Sequence, residues 1–108
     1  MTAQRSALPL AILSWCPVSD KEWFVYVVEC SDGSLYTGVT TDVSRRVHEH
    51  NHTSKAAKYT RARRPVTLRY WIDFATRSTA CKAEAAFKKL TRPQKNVVIS
   101  ERLLGLLR

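Results

Sequence analysis

The chain has 108 residues, 44% of them hydrophobic, which allows one modest hydrophobic core and excludes a second independent one. Eighteen Lys and Arg against nine Asp and Glu give a formal net charge of +9. This excess predicts an anionic partner, with nucleic acid as the first candidate and a membrane surface as the second. A basic protein without such a partner is the alternative.

The cysteines and the apolar stretches bear on the cellular environment. Cys16, Cys30 and Cys81 are widely spaced and form no CxxC pair, which argues against a zinc ribbon and a disulfide framework. We therefore expect a cytoplasmic protein in a reducing environment. The longest apolar stretch, residues 8–18, is interrupted by prolines and is too short to span a bilayer. With only Arg5 ahead of it, it is also a weak match to a signal peptide.

The domain is expected at residues 22–108, because residues 1–21 lack periodicity and contain two prolines. We interpret residues 1–21 as an N-terminal extension, either mobile or docked on the domain. The segment from Trp23 to Cys30 is rich in β-branched and aromatic residues and predicts a strand. Leu35 to Thr40 predicts a second strand, so the two form a hairpin.

The length of the hairpin loop decides which side chains share a face. A two-residue loop would place Tyr26 and Tyr36 on opposite faces of the sheet. A three-residue loop with Gly33 in the left-handed conformation places both on one face, with Gly38 opposite Tyr26. We favour the three-residue loop, because only that register brings both phenols into one site.

A first helix is predicted from a cap at Thr41 or Asp42 to about His52. At 100° per residue, one face of this helix carries two valines and two polar side chains: Val43, Arg46, Val47 and His50. This face should point inward. Because a guanidinium and an imidazole on an apolar face need partners, Arg46 and His50 are better site candidates than Arg45.

Residues 55–69 form a basic loop that contains no acidic residue. Its six cations are Lys55, Lys58, Arg61, Arg63, Arg64 and Arg69. We expect this loop to contact backbone phosphates, and Tyr59 within it to stack on a base, which would suit a single strand. Pro65 ends the loop.

The remaining segments complete the fold. Val66 to Phe74 predicts a third strand, and a helix starting near Ser78 follows, with Glu84 beside its apolar stripe. That stripe consists of Ala80, Ala83, Phe87 and Leu90. Thr91 and Pro93 mark the start of a last helix, expected to run until Gly105. The order β-β-α-β-α-α predicts an α/β fold of the α+β kind, a three-stranded antiparallel sheet flanked by helices.

Several of these residues together resemble a known signature. Phe24-Val25-Tyr26, with Tyr36-Thr37-Gly38 ten positions later, resembles the motif of the GIY-YIG nuclease superfamily, although Phe24, Val25 and Thr37 depart from the name-giving residues. Arg46, His50 one helical turn beyond, Glu84 and Asn96 follow in the order of that family's further markers. The likeness spans about residues 23–100 and is closest to small standalone members.

The resemblance implies an endonuclease that hydrolyses DNA phosphodiesters, with single-stranded or structured DNA favoured. It implies Tyr26 as general base, Tyr36 as a residue that positions the water, Arg46 on the scissile phosphate and His50 as proton acceptor or water-orienting group. A single acidic residue on the site face suggests one divalent cation, Mg²⁺ or Mn²⁺, held by Glu84. Further substrate contacts are assigned to Gly38, Asn96 and the basic loop: Lys55, Lys58, Tyr59, Arg61, Arg63 and Arg64.

Structural roles compete with these assignments. Glu84 would otherwise pair with Lys88, and Arg46 with Glu29 or Asp73. The tyrosines and His50 would be packed residues, and Asn96 a helix cap. Two other functions compete with the enzyme: a non-catalytic nucleic-acid-binding module of the same fold, and a basic protein that binds other proteins or acidic surfaces. No obligate protein partner is indicated.

Overall fold

The computed structural model describes residues 22–102. Their elements are β1 (Trp23–Glu29), β2 (Leu35–Thr40), α1 (Val43–His52), α2 (Lys58–Arg61), β3 (Thr67–Phe74), α3 (Arg77–Lys88) and α4 (Arg92–Glu101). The predicted order is confirmed, with α2 as one additional short helix inside the basic loop. The predicted N-terminal extension, residues 1–21, lies outside the described residues. Within 22–102, no helix is long and apolar enough to cross a bilayer.

The sheet has the strand order β2-β1-β3 with both pairs antiparallel, which confirms the predicted α+β fold with a three-stranded antiparallel sheet. The β1–β2 hairpin has the favoured three-residue loop. Cys30 N donates to Ser34 O at 2.8 Å, and Gly33 has a left-handed φ of 87°. Tyr26 therefore pairs with Gly38, and Tyr36 shares its face of the sheet.

Two hydrophobic clusters lie on opposite faces of this sheet. On the face that we call the α3 face, Val25 and Val27 of β1 pack against helices α3 and α4, with Phe87 completely buried. On the other, the α1 face, Tyr26 and Val28 pack with Val43 of α1. The central strand thus contributes alternate residues to two different cores.

Local sequence explains where the helices begin and end. Asp42, one of the two predicted cap residues, caps α1 and accepts from Arg45 N at 3.0 Å. Helix α3 starts at Arg77 behind the cap Thr76, one residue before the expected Ser78. Helix α4 starts behind Thr91, whose capping box with Gln94 satisfies two terminal N–H groups.

The end of α4 differs from the prediction. The helix ends at Glu101 instead of continuing to Gly105, because Arg102 adopts a left-handed conformation with φ 56°. The backbone N–H of Arg102 closes the helix on the carbonyls of Ile99 and Val98.

Candidate active site

Tyr26 lies almost completely buried on the α1 face, with its ring across Gly38 of β2. A Cβ atom at position 38 would fall 2.5 Å from the Tyr26 Oη and 2.7 Å from its Cζ. No side chain larger than hydrogen fits under this ring. Gly38, predicted to contact substrate, is therefore seen in the structure to make room for the Tyr26 phenol.

Three rings meet at this point. The Tyr26 ring centroid lies 6.5 Å from that of Tyr36 and 5.8 Å from that of His50, and Tyr36 and His50 are 5.3 Å apart. The hairpin register supplies both tyrosines, and the inward face of α1 supplies the histidine. The structure thus brings together three side chains that lie far apart in the sequence.

His50 is completely enclosed, and both of its ring nitrogens have partners. Nε2 lies 2.7 Å from Tyr26 Oη, and Nδ1 lies 2.6 Å from Thr60 Oγ1. Burial, and secondly the nearby positive charge of Arg46, lower the His50 pKa to about 4. The imidazole is therefore neutral at pH 7.

Thr60 was missed by sequence reasoning. Its neighbours in the basic loop suggested only charge and stacking. The one signal was indirect, because a histidine predicted to be buried needs a partner for its second nitrogen.

The Tyr26 phenol is also neutral at pH 7. Burial and the neighbouring Tyr36 raise its pKa to about 12, while a hydrogen bond and the positive charge of Arg46 act in the opposite direction. The site at rest therefore holds a neutral phenol against a neutral imidazole.

Arg46 lies beside this pair with a different partner from those expected. Its Nη1 donates to Glu49 Oε1 and to Lys55 O, both at 2.9 Å. The structural alternatives from sequence were Glu29 and Asp73. Glu49 instead lies one turn along the same helix, where Arg46 lowers the pKa of its carboxyl group by hydrogen bonding.

Glu84 of α3 occupies a partly buried position and pairs with Lys88, with 3.0 Å between Oε2 and Nζ. The competing structural role is thus realised. The Glu84 charge nevertheless contributes to raising the Tyr26 pKa, so the carboxylate lies within electrostatic reach of the phenol. Among residues 22–102, no three His, Cys, Asp or Glu side chains are grouped as a metal cage.

This donor set fits Mg²⁺ or Mn²⁺ better than a structural metal. A hard divalent ion is commonly held by one or two carboxylates, with water and substrate phosphate as its other ligands. Glu84 is a single oxygen donor of this type. Its ion pair with Lys88 is an i,i+4 surface contact, weak enough to be exchanged for a divalent ion.

The basic loop borders the ring cluster. Tyr59 stacks with Tyr36 at a centroid distance of 6.1 Å and an interplanar angle of 19°, and it is 38% exposed. Lys55, Lys58 and Arg61 are exposed nearby. This part of the loop presents positive charge and an aromatic ring beside Tyr36.

Two other cations of the loop hold the structure together. Arg63 Nε donates to Asp32 Oδ2 at 3.1 Å, and its guanidinium lies 3.8 Å from the Tyr59 ring centroid. Arg64 Nε donates to His50 O at 2.5 Å, and its Nη2 donates to Thr53 O, so Arg64 satisfies carbonyls at the end of α1. Both were predicted to bind substrate.

Asn96 is not brought to the tyrosines in the described part of the chain. It is exposed on α4, where its Oδ1 accepts from Arg92 Nε at 3.1 Å. It lines a surface groove with Leu35 and Arg69, and Leu35 belongs to the α3 face.

A family model of the GIY-YIG catalytic domain matches residues 22–96. The chain belongs to the GIY-YIG family. Its domain is therefore of a nuclease type, and the predicted resemblance to this family is confirmed.

The relatives are small proteins of similar length. The chain is 49% identical over 84 residues to the UPF0213 protein DP2720 of Desulfotalea psychrophila, covering 77% of this chain and 76% of that one. It is 56% identical over 81 residues to the UPF0213 protein lin0209 of Listeria innocua, covering 75% and 89%.

A solved structure supports the fold. The NMR structure of the UPF0213 protein BH0048 from Bacillus halodurans is 42% identical and matches with a TM-score of 0.51, covering 75% of this chain and 85% of that chain. The predicted closeness to small single-domain GIY-YIG members is thus confirmed.

Proposed function

We propose that this GIY-YIG domain is a metal-dependent endonuclease that hydrolyses phosphodiester bonds in single-stranded or structured DNA. The observation that carries the proposal is the buried Tyr26–His50 contact of 2.7 Å, which lies beside Arg46 and adjoins the exposed cations of the basic loop. Hydrolysis needs an activated water, relief of charge on the phosphate and help for the leaving oxygen.

Tyr26 is the general base of this proposal. Its Oη takes a proton from the attacking water while its own proton passes to His50 Nε2, which converts His50 to the imidazolium. The neutral resting states of both groups leave the imidazole free to accept that proton. Tyr36, whose ring lies 5.3 Å from that of His50, borders the place where the water would sit.

Arg46 and Glu84 provide the charges. Arg46 turns from Glu49 to the scissile phosphate and offsets the negative charge that grows there. Glu84 would hold the divalent ion, which would supply positive charge to the phosphate and the leaving oxygen. Both residues are ion-paired within the chain, so substrate and metal must displace Glu49 and Lys88 respectively.

The basic loop supplies affinity without base-specific readout. Lys55, Lys58 and Arg61 contact phosphates, and the exposed Tyr59 ring borders the path of the strand. Arg63 and Arg64 are left out of this contact set, because both are half-buried and their guanidinium groups donate to Asp32 and to carbonyls at the end of α1. Asn96 is left out because it lines a groove with Leu35, which packs on the α3 face. Free Cys30 and Cys81 accord with an intracellular, reducing setting.

A matched substrate panel tests the proposal. The full chain is incubated with end-labelled single-stranded, branched and duplex DNA at several Mg²⁺ and Mn²⁺ concentrations, alongside Glu84→Ala. We expect metal-dependent cleavage of the single-stranded or branched substrates by the wild type, and binding without cleavage by Glu84→Ala.

Other results separate the alternatives. Salt-sensitive binding without cleavage of any substrate would identify a non-catalytic nucleic-acid-binding module. Binding that barely changes with salt would contradict nucleic acid as the partner, because phosphate contacts release counterions.

A further inference from the structure

The contacts of His50 and Thr60 bear on which ring nitrogen of His50 carries the proton. Thr60 is completely buried, and its Oγ1 lies 2.6 Å from His50 Nδ1 and 3.0 Å from Ala57 O. The single hydroxyl hydrogen of Thr60 is assigned to Ala57 O, because a carbonyl oxygen only accepts, whereas a neutral imidazole can donate from Nδ1. With that assignment, the Thr60 oxygen accepts a hydrogen from His50 Nδ1.

The protonation of His50 Nδ1 also determines the direction of the hydrogen bond between His50 and Tyr26. A neutral imidazole with its hydrogen on Nδ1 has a lone pair on Nε2. The 2.7 Å contact between Nε2 and Tyr26 Oη is then a hydrogen bond donated by the phenol. The remaining lone pairs of the phenol oxygen stay available to Arg46 and to a water.

We propose that Thr60 is a positioning residue that holds His50 in the Nδ1–H form, so that Nε2 can accept the proton of Tyr26. This inference rests on the proposed nuclease function. In the opposite tautomer, Nε2–H would donate to the phenol oxygen, and His50 would offer no acceptor for the phenol proton.

The proton transfers from water to Tyr26 and from Tyr26 to His50 are compatible with the Thr60 contact. One proton moves from water to Tyr26 Oη, and one moves from Oη to His50 Nε2. The resulting imidazolium then donates from both nitrogens, to Tyr26 and to Thr60, and both oxygens accept. Thr60 thus has a suitable partner atom for His50 before and after the step.

The position of Thr60 also links substrate contact to this relay. Thr60 lies on α2 between Tyr59, which stacks with Tyr36, and the exposed Arg61. The same short helix therefore faces the expected path of the DNA on one side and holds His50 on the other. A strand that docks on α2 therefore docks on the element that positions His50.

Nitrogen NMR of the full chain labelled with ¹⁵N-histidine tests the tautomer directly. At pH 7.5 we expect the wild-type His50 pattern of a protonated Nδ1 and an unprotonated Nε2. Thr60→Ser should keep that pattern, whereas Thr60→Val should shift it towards Nε2–H. A wild-type Nε2–H pattern, or an unchanged pattern in Thr60→Val, would overturn the inference even if the protein cleaves nothing.

Single-turnover cleavage supplies the functional readout. Thr60→Val should lower the rate at saturating DNA by about tenfold to a hundredfold with DNA affinity unchanged, and Thr60→Ser should restore most of it. Thr37→Val, the same change at a buried threonine on the opposite face of β2, is the control and should cleave normally. A folded Thr60→Val with an altered tautomer and the wild-type rate would contradict the role.

Discussion

The two faces of the sheet are built from alternate residues of the same strand, yet they differ in kind. On the α3 face, Val25 and Val27 meet the alanines and Phe87 of α3, and burial of apolar surface accounts for the packing. On the α1 face, Tyr26 Oη lies 2.7 Å from His50 Nε2, and His50 Nδ1 lies 2.6 Å from Thr60 Oγ1, so polar groups are paired in series. Within residues 22–102, no buried side-chain polar atom lacks a partner.

This contrast shows how a small domain accommodates a polar site. Buried polar groups are costly unless every one is paired, so the α1 face is specific in geometry and sensitive to single-atom changes. The α3 face tolerates changes that keep volume and hydrophobicity. Substitutions matched across the two faces should therefore separate loss of activity from loss of stability.

The largest difference in cleavage rate is expected between the phenylalanine variants of two buried tyrosines. Tyr26→Phe should lower the cleavage rate by about 10²- to 10⁴-fold, because it removes the proposed general base and keeps the ring. Tyr70→Phe makes the same change on the α3 face, where Tyr70 is 4% exposed, and should cleave at the wild-type rate. Single-turnover cleavage of labelled DNA measures both. Equal rates in the two variants would remove Tyr26 from the chemistry.

Alanine variants of two hairpin glycines should next distinguish a loss of cleavage from a loss of stability. In Gly38→Ala the new methyl group would lie 2.5 Å from the Tyr26 Oη, so the phenol must move and cleavage should fall by about a hundredfold or more. In Gly33→Ala nothing lies within 4 Å of the new Cβ, but the φ of 87° is strained for alanine. That variant should lose about 1–2 kcal/mol of stability and keep its activity. Cleavage rates and urea unfolding distinguish the two outcomes, and an active Gly38→Ala would contradict the placement of Tyr26.

A third test uses the pH dependence of stability. Burial holds the His50 pKa at about 4, below its ordinary 6.5, so the unfolded chain binds a proton that the folded chain excludes. Stability from this group is complete above pH 6.5 and is lost as the pH falls towards 4, by about 3 kcal/mol in total.

The measurement is urea unfolding at pH 7.5 and pH 4.5. His50→Gln should lose much less stability than the wild type between these two conditions. His48→Gln, an exposed change on the same helix, should lose as much as the wild type. Identical losses in all three proteins would show that His50 is not buried in its neutral form.

The smallest effect concerns the exposed cations. The double variant Lys58→Ala/Arg61→Ala should weaken binding to single-stranded DNA and lower the slope of log affinity against log salt by about 1.4, for two phosphate contacts. Lys82→Ala/Lys89→Ala removes the same charge from exposed positions of α3 and its cap, and should change the slope much less. Equal slopes in the two double variants would place the DNA elsewhere.

The sequence predicts those parts of the fold that depend on local pattern. The inward face of α1 follows from the spacing of Val43 and His50, and capping preference limits the start of α1 to Thr41 or Asp42. The three-residue loop was favoured for a different reason, because only that register brings both phenols to one face. The end of α4 was predicted too late, because Arg102 takes a left-handed conformation that arginine rarely adopts. Helix α2 is too short for a periodic signal.

The parts of the site that escaped prediction depend on contacts between distant segments. Thr60 approaches His50 only because the basic loop folds back onto α1. For the same reason Arg64 donates to carbonyls at the end of α1, although its sequence context suggests phosphate binding. The Arg46–Glu49 pair is local, and its i,i+3 spacing was visible in the sequence.

The most direct test of the proposed metal-dependent site compares the two partners of one ion pair, Glu84 and Lys88, which lie 3.0 Å apart. Cleavage of labelled single-stranded DNA is titrated with Mg²⁺ and Mn²⁺ for the wild type, Glu84→Ala and Lys88→Ala. If Glu84 holds the ion, Glu84→Ala loses cleavage at every metal concentration, while Lys88→Ala cleaves with a half-maximal metal concentration equal to or lower than that of the wild type. If the two variants behave alike, Glu84 is only the helix partner of Lys88, and the metal-dependent mechanism is contradicted.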